Sequence, residues 1–477
     1  MNIFANLSGI RTLNLSYNSI QDVGRKHFTL KKLYELSIID LSYNNITEIT
    51  GSVFDKFLSI RSINLTHNCL TKITSSSFGQ LPTLLELDLS HNLIRDVSPG
   101  GLSQLQSVKT IFINNNHLKR VFPISLAINV IHLENNHISS IRPSTFPMIN
   151  ALLEIYLDNN QISDLEDGSF DNCLTLNTIS FKNNSFKEVP ARALAVLTSL
   201  QYLDLSYNQL TNLPKHAFGS LRILFHLHLE HNQISTLSSN TFEGLLQMLT
   251  LDMSHNQISK IGTEVFNTMV SLRDLNLSYN RITSLDNGTH SIFEPILSID
   301  RLNLSHNSIS LIRDRSFPHS PWIPYKLREL DLSYNTIPVL TTNFDNGLDQ
   351  VEWLSLAGNI INEIHLDVLG NLTEIKHLDL SQNDLRRLTP GIFRSALTKL
   401  RQLNLSKNKI STLTVSELSR MTSLKSLDLS DNRLTALESP LFEPIKKGLE
   451  IQFKGKFSFF LFLFTLLFFL SFSLSLF

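Results

Sequence analysis

One pattern, LxxLxLxxNxL with Ile, Val, Met or Phe allowed at the Leu positions, recurs eighteen times along the 477-residue chain. Its fixed Asn falls at Asn18, Asn44, Asn68, Asn92, Asn116, Asn136, Asn160, Asn184 and Asn208, then at Asn232, Asn256, Asn280, Asn307, Asn335, Asn359, Asn383, Asn408 and Asn432. Twelve of the seventeen intervals are 24 residues. The length alone suggests several globular domains, but an unbroken repeat overrides that and predicts one array of stacked coils over residues 1–453.

Each unit reads physically. In "LQYLDLSYNQL", Leu203 and Leu205 alternate with Tyr202 and Asp204, so a short strand points its Leu side chains inward and its polar residues outward. Leu200 and Leu210 flank the strand, and Phe218 and Leu221 fill the same interior from the returning segment. A single unit loses roughly 1.5 kcal/mol of conformational freedom per residue, more than its few buried side chains offset at about 2 kcal/mol each, so only stacking stabilises it. The recurrent Asn is predicted to bond the backbone of its own and the neighbouring coil, because a buried amide left unpaired costs about 1 to 3 kcal/mol. The predicted fold is an α/β horseshoe, a leucine-rich-repeat solenoid whose parallel strands, spaced about 4.8 Å, form a concave sheet on the order of 85 Å long. It offers a surface for binding rather than a pocket for chemistry.

The rest of the sequence narrows the function by exclusion. Lys plus Arg total 41 against 42 Asp plus Glu, with no charge run, so neither a nucleic-acid stripe nor a basic membrane patch is indicated. Cys173 stands near Leu176 where other repeats carry core residues and reads as a core filler, Cys69 lies near a turn, and no disulfide is expected between them. Histidines such as His67, His91 and His255 alternate with Tyr17, Tyr43 and Tyr279 before the fixed Asn and read as repeat filler. No motif for catalysis, phosphate binding or a metal occurs, so no enzyme activity and no cofactor are implied.

Departures from the repeat point to partner contacts. The central outward strand position is usually Asp or Asn, as at Asp88, Asp204, Asp252 and Asp379, but Phe112, His132, Tyr156 and His228 replace it, with Tyr202 and His226 adjoining. Large rings facing outward on a sheet are typical binding anchors. Trp353 in "VEWLSLAGN" is a further candidate, its small neighbours Ser355, Ala357 and Gly358 predicted to leave the ring accessible. Longer intervals before Asn307 and Asn335 insert segments containing Asn287 and, beyond Pro318, Trp322 and Tyr325, read as a brace or lateral contact. Sequons begin at Asn6, Asn45, Asn183, Asn287 and Asn371, and also at Asn14, Asn64, Asn276, Asn303 and Asn404, where "NLS" and "NLT" arise from the repeat itself.

Both ends break register. Phe4 and Leu7 read as the back half of an earlier repeat, without signal or cap, so residue 1 is expected not to be the natural start. Ile451 and Phe453 begin a nineteenth strand, but Lys456 stands where the next Asn belongs, and an apolar tail follows from Phe457 to Phe477 (457–477). The tail reads either as a membrane anchor, its 21 residues being long enough to span a bilayer, or as translated intron, since Phe, Leu and Ser share pyrimidine-only codons.

With units such as "LRELDLSYNTIPVL" and "IKHLDLSQNDLRRL" repeated without Cys-rich caps, the chain resembles the chaoptin-like adhesion proteins of arthropod photoreceptors over residues 1–453. Toll-like and other receptor ectodomains share the unit. The resemblance implies an extracellular, membrane-anchored glycoprotein that acts in cell adhesion, with a protein partner, homophilic or heterophilic, and no nucleic acid. A ligand-sensing receptor ectodomain is the alternative.

Overall fold

The computed structural model describes residues 9–24, 35–51, 53–54, 57–143, 145–219, 221–286, 288, 290–318, 325–366, 368–388, 392, 397–413, 418, 421–435 and 450–452. The chain divides into two compact units, residues 1–233 with 241–248, and residues 234–240 with 249–477. In the first, ten three-residue strands from Thr12–Asn14 to His226–His228 pair in parallel, coil after coil. In the second, nine strands do the same from Thr250–Asp252 to Glu450–Gln452, so the nineteenth strand foreseen near Ile451 exists and pairs with Ser426–Asp428.

Register follows from the side chains. The middle residue of each strand is apolar and points inward, and it always sits opposite the middle residue of its neighbour, as Ile155 faces Ile179 and Ile179 faces Leu203. A slip by one position would turn this inward row out to solvent. Leu200, Leu203, Leu205, Leu210, Phe218 and Leu221 are all buried, as the repeat demands.

The returning side is built of turns. Among the described residues, the helical segments there are Ala191–Leu194 and the 3-10 turn Leu397–Lys399, while short parallel pairs such as Lys72–Ile73 with Asp96–Val97 tie neighbouring coils. A spine of buried Phe rings stands behind these turns: Phe54 and Phe78 have centroids 6.1 Å apart, Phe146 and Phe170 5.4 Å, and Phe293 and Phe317 6.4 Å. Each fully buried ring contributes about 2 to 3 kcal/mol, so the spine holds together coils too short for longer helices. Cys173 lies in this core, where burial pushes its thiol up to about 12, and Cys69 donates from Sγ to Asn45 Oδ1 at 3.3 Å.

The fixed Asn makes the ladder the repeat implies. Asn208 donates from Nδ2 to the carbonyls of Leu205 and Ser206 in its own coil and of Phe181 in the coil before, at 3.0–3.1 Å. Its Oδ1 accepts the N–H of Phe186 at 3.0 Å. Asn92, Asn116, Asn160, Asn280, Asn335, Asn383 and Asn432 repeat all four bonds, and Asn256 likewise serves Met253, Ser254 and Ile234. One side chain thus satisfies turn groups of two coils at once, the physical reason it does not vary.

Candidate binding face

The third residue of each strand separates the coils into two kinds. In twelve coils it is Asp or Asn, and its Oδ1 accepts the N–H two residues on at 2.8–3.1 Å, from Asn14 with Ser16 to Asp428 with Ser430. This local bond closes the turn out of the strand. A polar outward residue is therefore structural here. Asp204 is even buried, at 7 % exposure, and Asp252 also accepts from Asn276 Nδ2 at 3.0 Å, so the sequence reading of these as plain surface positions is corrected.

Phe112, His132, Tyr156 and His228 lack a side chain that can make this bond. Three of them form a stack instead. Their strands are adjacent and in register, with ring centroids 4.7 Å apart from Phe112 to His132 at 12° and 4.7 Å from His132 to Tyr156 at 6°. Ser180 and Asp204 then interrupt the column, and the second group follows: Tyr202 lies 5.3 Å from His228 and 6.3 Å from His226. The six rings picked from the sequence thus fall into two clusters on one unit, and Trp353 belongs to the other unit.

Carboxylates accompany the rings. The sequence H-x-E occurs at both clusters: His132 Nδ1 lies 2.8 Å from Glu134 Oε1, and His228 Nδ1 3.5 Å from Glu230 Oε2. Burial pushes the Glu230 carboxyl up, but His228 and Lys182 outweigh it and leave the group below the usual carboxylate range. The Tyr156 hydroxyl donates to Glu154 Oε2 at 2.8 Å, and its pKa is raised by burial first and by that bond second. Between the clusters, Asp158 accepts from Ser180 Oγ and from Lys182 N, yet burial together with Asp204 and Glu134 pushes it up to about 6. Glu134, Asp158 and Glu230 were not singled out from the sequence; the signal was the departure from Ser at the position two beyond the strand, which twelve coils otherwise keep as Ser or Thr.

In the second unit, Trp353 is half-buried in register between Glu329 and His377, and it closes a groove of about 520 Å³ whose wall includes Asn276, Arg301, Asn303 and Asp331. One of its small neighbours, Gly358, has another role than the one expected. A Cβ at Gly358 would meet Tyr334 Cδ1 at 2.5 Å, and Tyr334 reaches across to accept from Gln382 Nε2 at 3.0 Å. The space serves Tyr334, not Trp353.

The position before the ladder Asn is more than filler. It has a positive φ, 51° to 56° in residues such as Tyr17, His67, Asn159, His255 and Tyr334. That conformation disfavours most side chains, and here rings stack face to face: Tyr17, Tyr43, His67 and His91 at 4.1–4.2 Å in the first unit, His255, Tyr279, His306 and Tyr334 at 4.0–4.4 Å in the second. Asn115, Asn135 and Asn159 replace them in the coils of the Phe112 column, and Asn183 in the coil that follows.

Among the sequons, Asn183 is exposed and donates to Asn159 Oδ1 at 2.7 Å, Asn45 is also exposed, and Asn371 bonds Asp345. Asn6, Asn287, Trp322 and the tail lie outside the described residues, while Tyr325 is buried with its hydroxyl unpaired. Among the described residues, no helix is long and apolar enough to cross a membrane, and no group of three or more His, Cys, Asp or Glu is placed to hold a metal.

A family model described as leucine rich repeat matches residues 8–70, 59–118, 127–173, 150–210, 199–258, 250–291, 325–385 and 375–434. The chain belongs to the leucine-rich-repeat family. Within it, the chain is 42 % identical to Xenopus tropicalis vasorin over 71 residues, 15 % of this chain and 10 % of vasorin, so the matched stretch spans about a tenth of that relative. The fold is also that of Drosophila Toll in its complex with Spatzle (TM-score 0.65, 20 % identity, covering 91 % of this chain and 73 % of that one). The TLR13–ssRNA13 complex aligns at TM-score 0.50 and 22 % identity, covering 93 % and 73 %. Such repeats are protein-binding scaffolds.

Proposed function

We propose that this chain is an adhesion module at the extracellular face of the plasma membrane, binding a protein partner through the ring clusters of Phe112, His132, Tyr156, Tyr202, His226 and His228. The observation that carries this is the exchange at the third strand position. Four coils have given up a turn-closing hydrogen bond, which stabilises by about 0.5 to 1.5 kcal/mol, and hold half-exposed rings there instead. Ser180 and Ser355 also lack the bond but carry no ring; random drift would scatter the ring replacements along the array, whereas three of the four sit on consecutive strands and stack. Central aromatic anchors of this kind dominate protein interfaces. Homophilic contact, a resident partner on another cell, and glycosylation at Asn183 are parts of this proposal, as is a membrane anchor, either residues 457–477 or a segment beyond this chain.

Cells displaying the chain are expected to cluster, and Tyr156→Ala to abolish clustering without changing the melting temperature. Mixing labelled displaying cells with unlabelled bare cells separates homophilic from heterophilic contact. The fold shared with Toll, which is complexed with a protein ligand, favours a second reading as a ligand-sensing ectodomain. Absence of clustering with any cell type, together with saturable binding of a soluble protein at Phe112–His228, would decide for that reading.

A further inference from the structure

The near-neutral total charge conceals a local surplus. On the strands from Thr110–Phe112 to His226–His228 and the position two beyond each, the side chains that are not buried include four carboxylates, Glu134, Glu154, Asp158 and Glu230, against one ammonium, Lys182. Lys182 is drawn over the Tyr207 ring, 5.1 Å from its centroid. Glu134 Oε2 is covered and accepts no hydrogen bond, and Glu230 Oε2 meets His228 at a distance long for one. The stacked rings of the first cluster and the tilted rings of the second stand on the same strands as these carboxylates.

We propose that the partner bound here is a basic protein segment, whose Lys or Arg side chains lie along the rings and reach Glu134 and Glu230. This rests on the reading that the face binds protein. Cations over aromatic faces and charge-assisted bonds to carboxylates reinforce each other once water is excluded. An apolar partner would take the remaining exposed parts of these carboxylates out of water without supplying a donor, and so would lose affinity. A nucleic acid would bring phosphates against these four carboxylates, the reverse of the basic footprint such ligands need. All four of these acids lie within two residues of a candidate ring in sequence, so rings and charge form one surface.

The test uses the full chain and three labelled probes: a nona-arginine peptide, a nona-glutamate peptide and a nine-nucleotide single-stranded RNA. Nona-arginine is expected to bind, with affinity falling steeply as salt rises. Glu134→Gln combined with Glu230→Gln should weaken it about tenfold, while Glu166→Gln combined with Glu188→Gln, both exposed on returning segments, should leave it unchanged. Binding of nona-arginine no tighter than nona-glutamate, or equal losses in the two double variants, would overturn the proposal. RNA binding that Tyr156→Ala removes would overturn it in favour of a nucleic acid. Cell clustering run on the same variants separates the two levels: loss by Tyr156→Ala with none by the Glu134/Glu230 variant sinks the basic partner and keeps the protein-binding face, whereas no loss by either sinks both. The salt dependence of the unsubstituted chain needs no variant to fold.

Discussion

Two stretches of the same repeat use the third strand position in opposite ways. From Thr250–Asp252 to Ser426–Asp428 in the second unit, it is Asp252, Asn276, Asn303, Asp331, Ser355, Asp379, Asn404 and Asp428, and all but Ser355 close their own turn. Neighbours even link along the sheet, Asn276 to Asp252 at 3.0 Å and Asn404 to Asp379 at 3.2 Å. In the first unit, Phe112, His132 and Tyr156 drop that bond and stack rings. The same backbone therefore supports a face that serves the fold and a face that is released from it. What distinguishes them is where the side-chain oxygen goes, not how polar the surface looks.

The sharpest way to break this comparison is to remove what both regions share. Asn383→Ala deletes an amide that bonds four backbone groups and should cost about 3 kcal/mol in urea unfolding, near the upper end for a buried network. Asn208→Ala in the first unit should cost about as much, and a markedly smaller loss there would show that the two regions differ in more than their faces.

A second effect belongs to the released face alone. Burial raises the Asp158 carboxyl to about 6, above its unfolded value, so the folded state takes up a proton before the unfolded one does. Stability should then rise as pH falls from above 6 towards 4, and the cost of the charge is fully present at neutral pH. Asp158→Asn keeps an oxygen for Ser180 and Lys182 and should stabilise by about 1 to 2 kcal/mol at pH 7.5, with the gain gone near pH 4. A pH-independent gain would contradict the buried charge.

Smaller still is the turn bond itself. Asp252→Ala should cost about 1 kcal/mol, and Asp252→Asn nearly nothing, since Asn276 and Asn303 already make the same bond with an amide oxygen. Equal urea midpoints for the Ala and Asn variants would remove the argument that this position is structural.

The array, its register and the Asn ladder were readable from the sequence because period, alternation and a single invariant amide each have one stacking solution. The ring clusters were readable as departures from the repeat's own average. The turn bond was not, since Asp followed two residues later by Ser looks like two independent surface residues until the backbone brings their atoms together. The Tyr and His column escaped for the same reason: their positive φ is a property of the turn, and nothing in the residue types announces a stack. Gly358 shows the limit well, because its smallness answers to Tyr334, 24 residues earlier, rather than to the nearby Trp353.

The central claim is that the face carrying rings in place of turn-closing Asp or Asn is the one that meets a partner. Photo-cross-linking tests it directly, with benzoylphenylalanine placed at Phe112 in one displayed chain and at Asn276, the equivalent position of the second unit, in another. Clustered cells should yield a cross-linked partner from position 112 and none from 276. Cross-links from 276 with none from 112 would contradict the account.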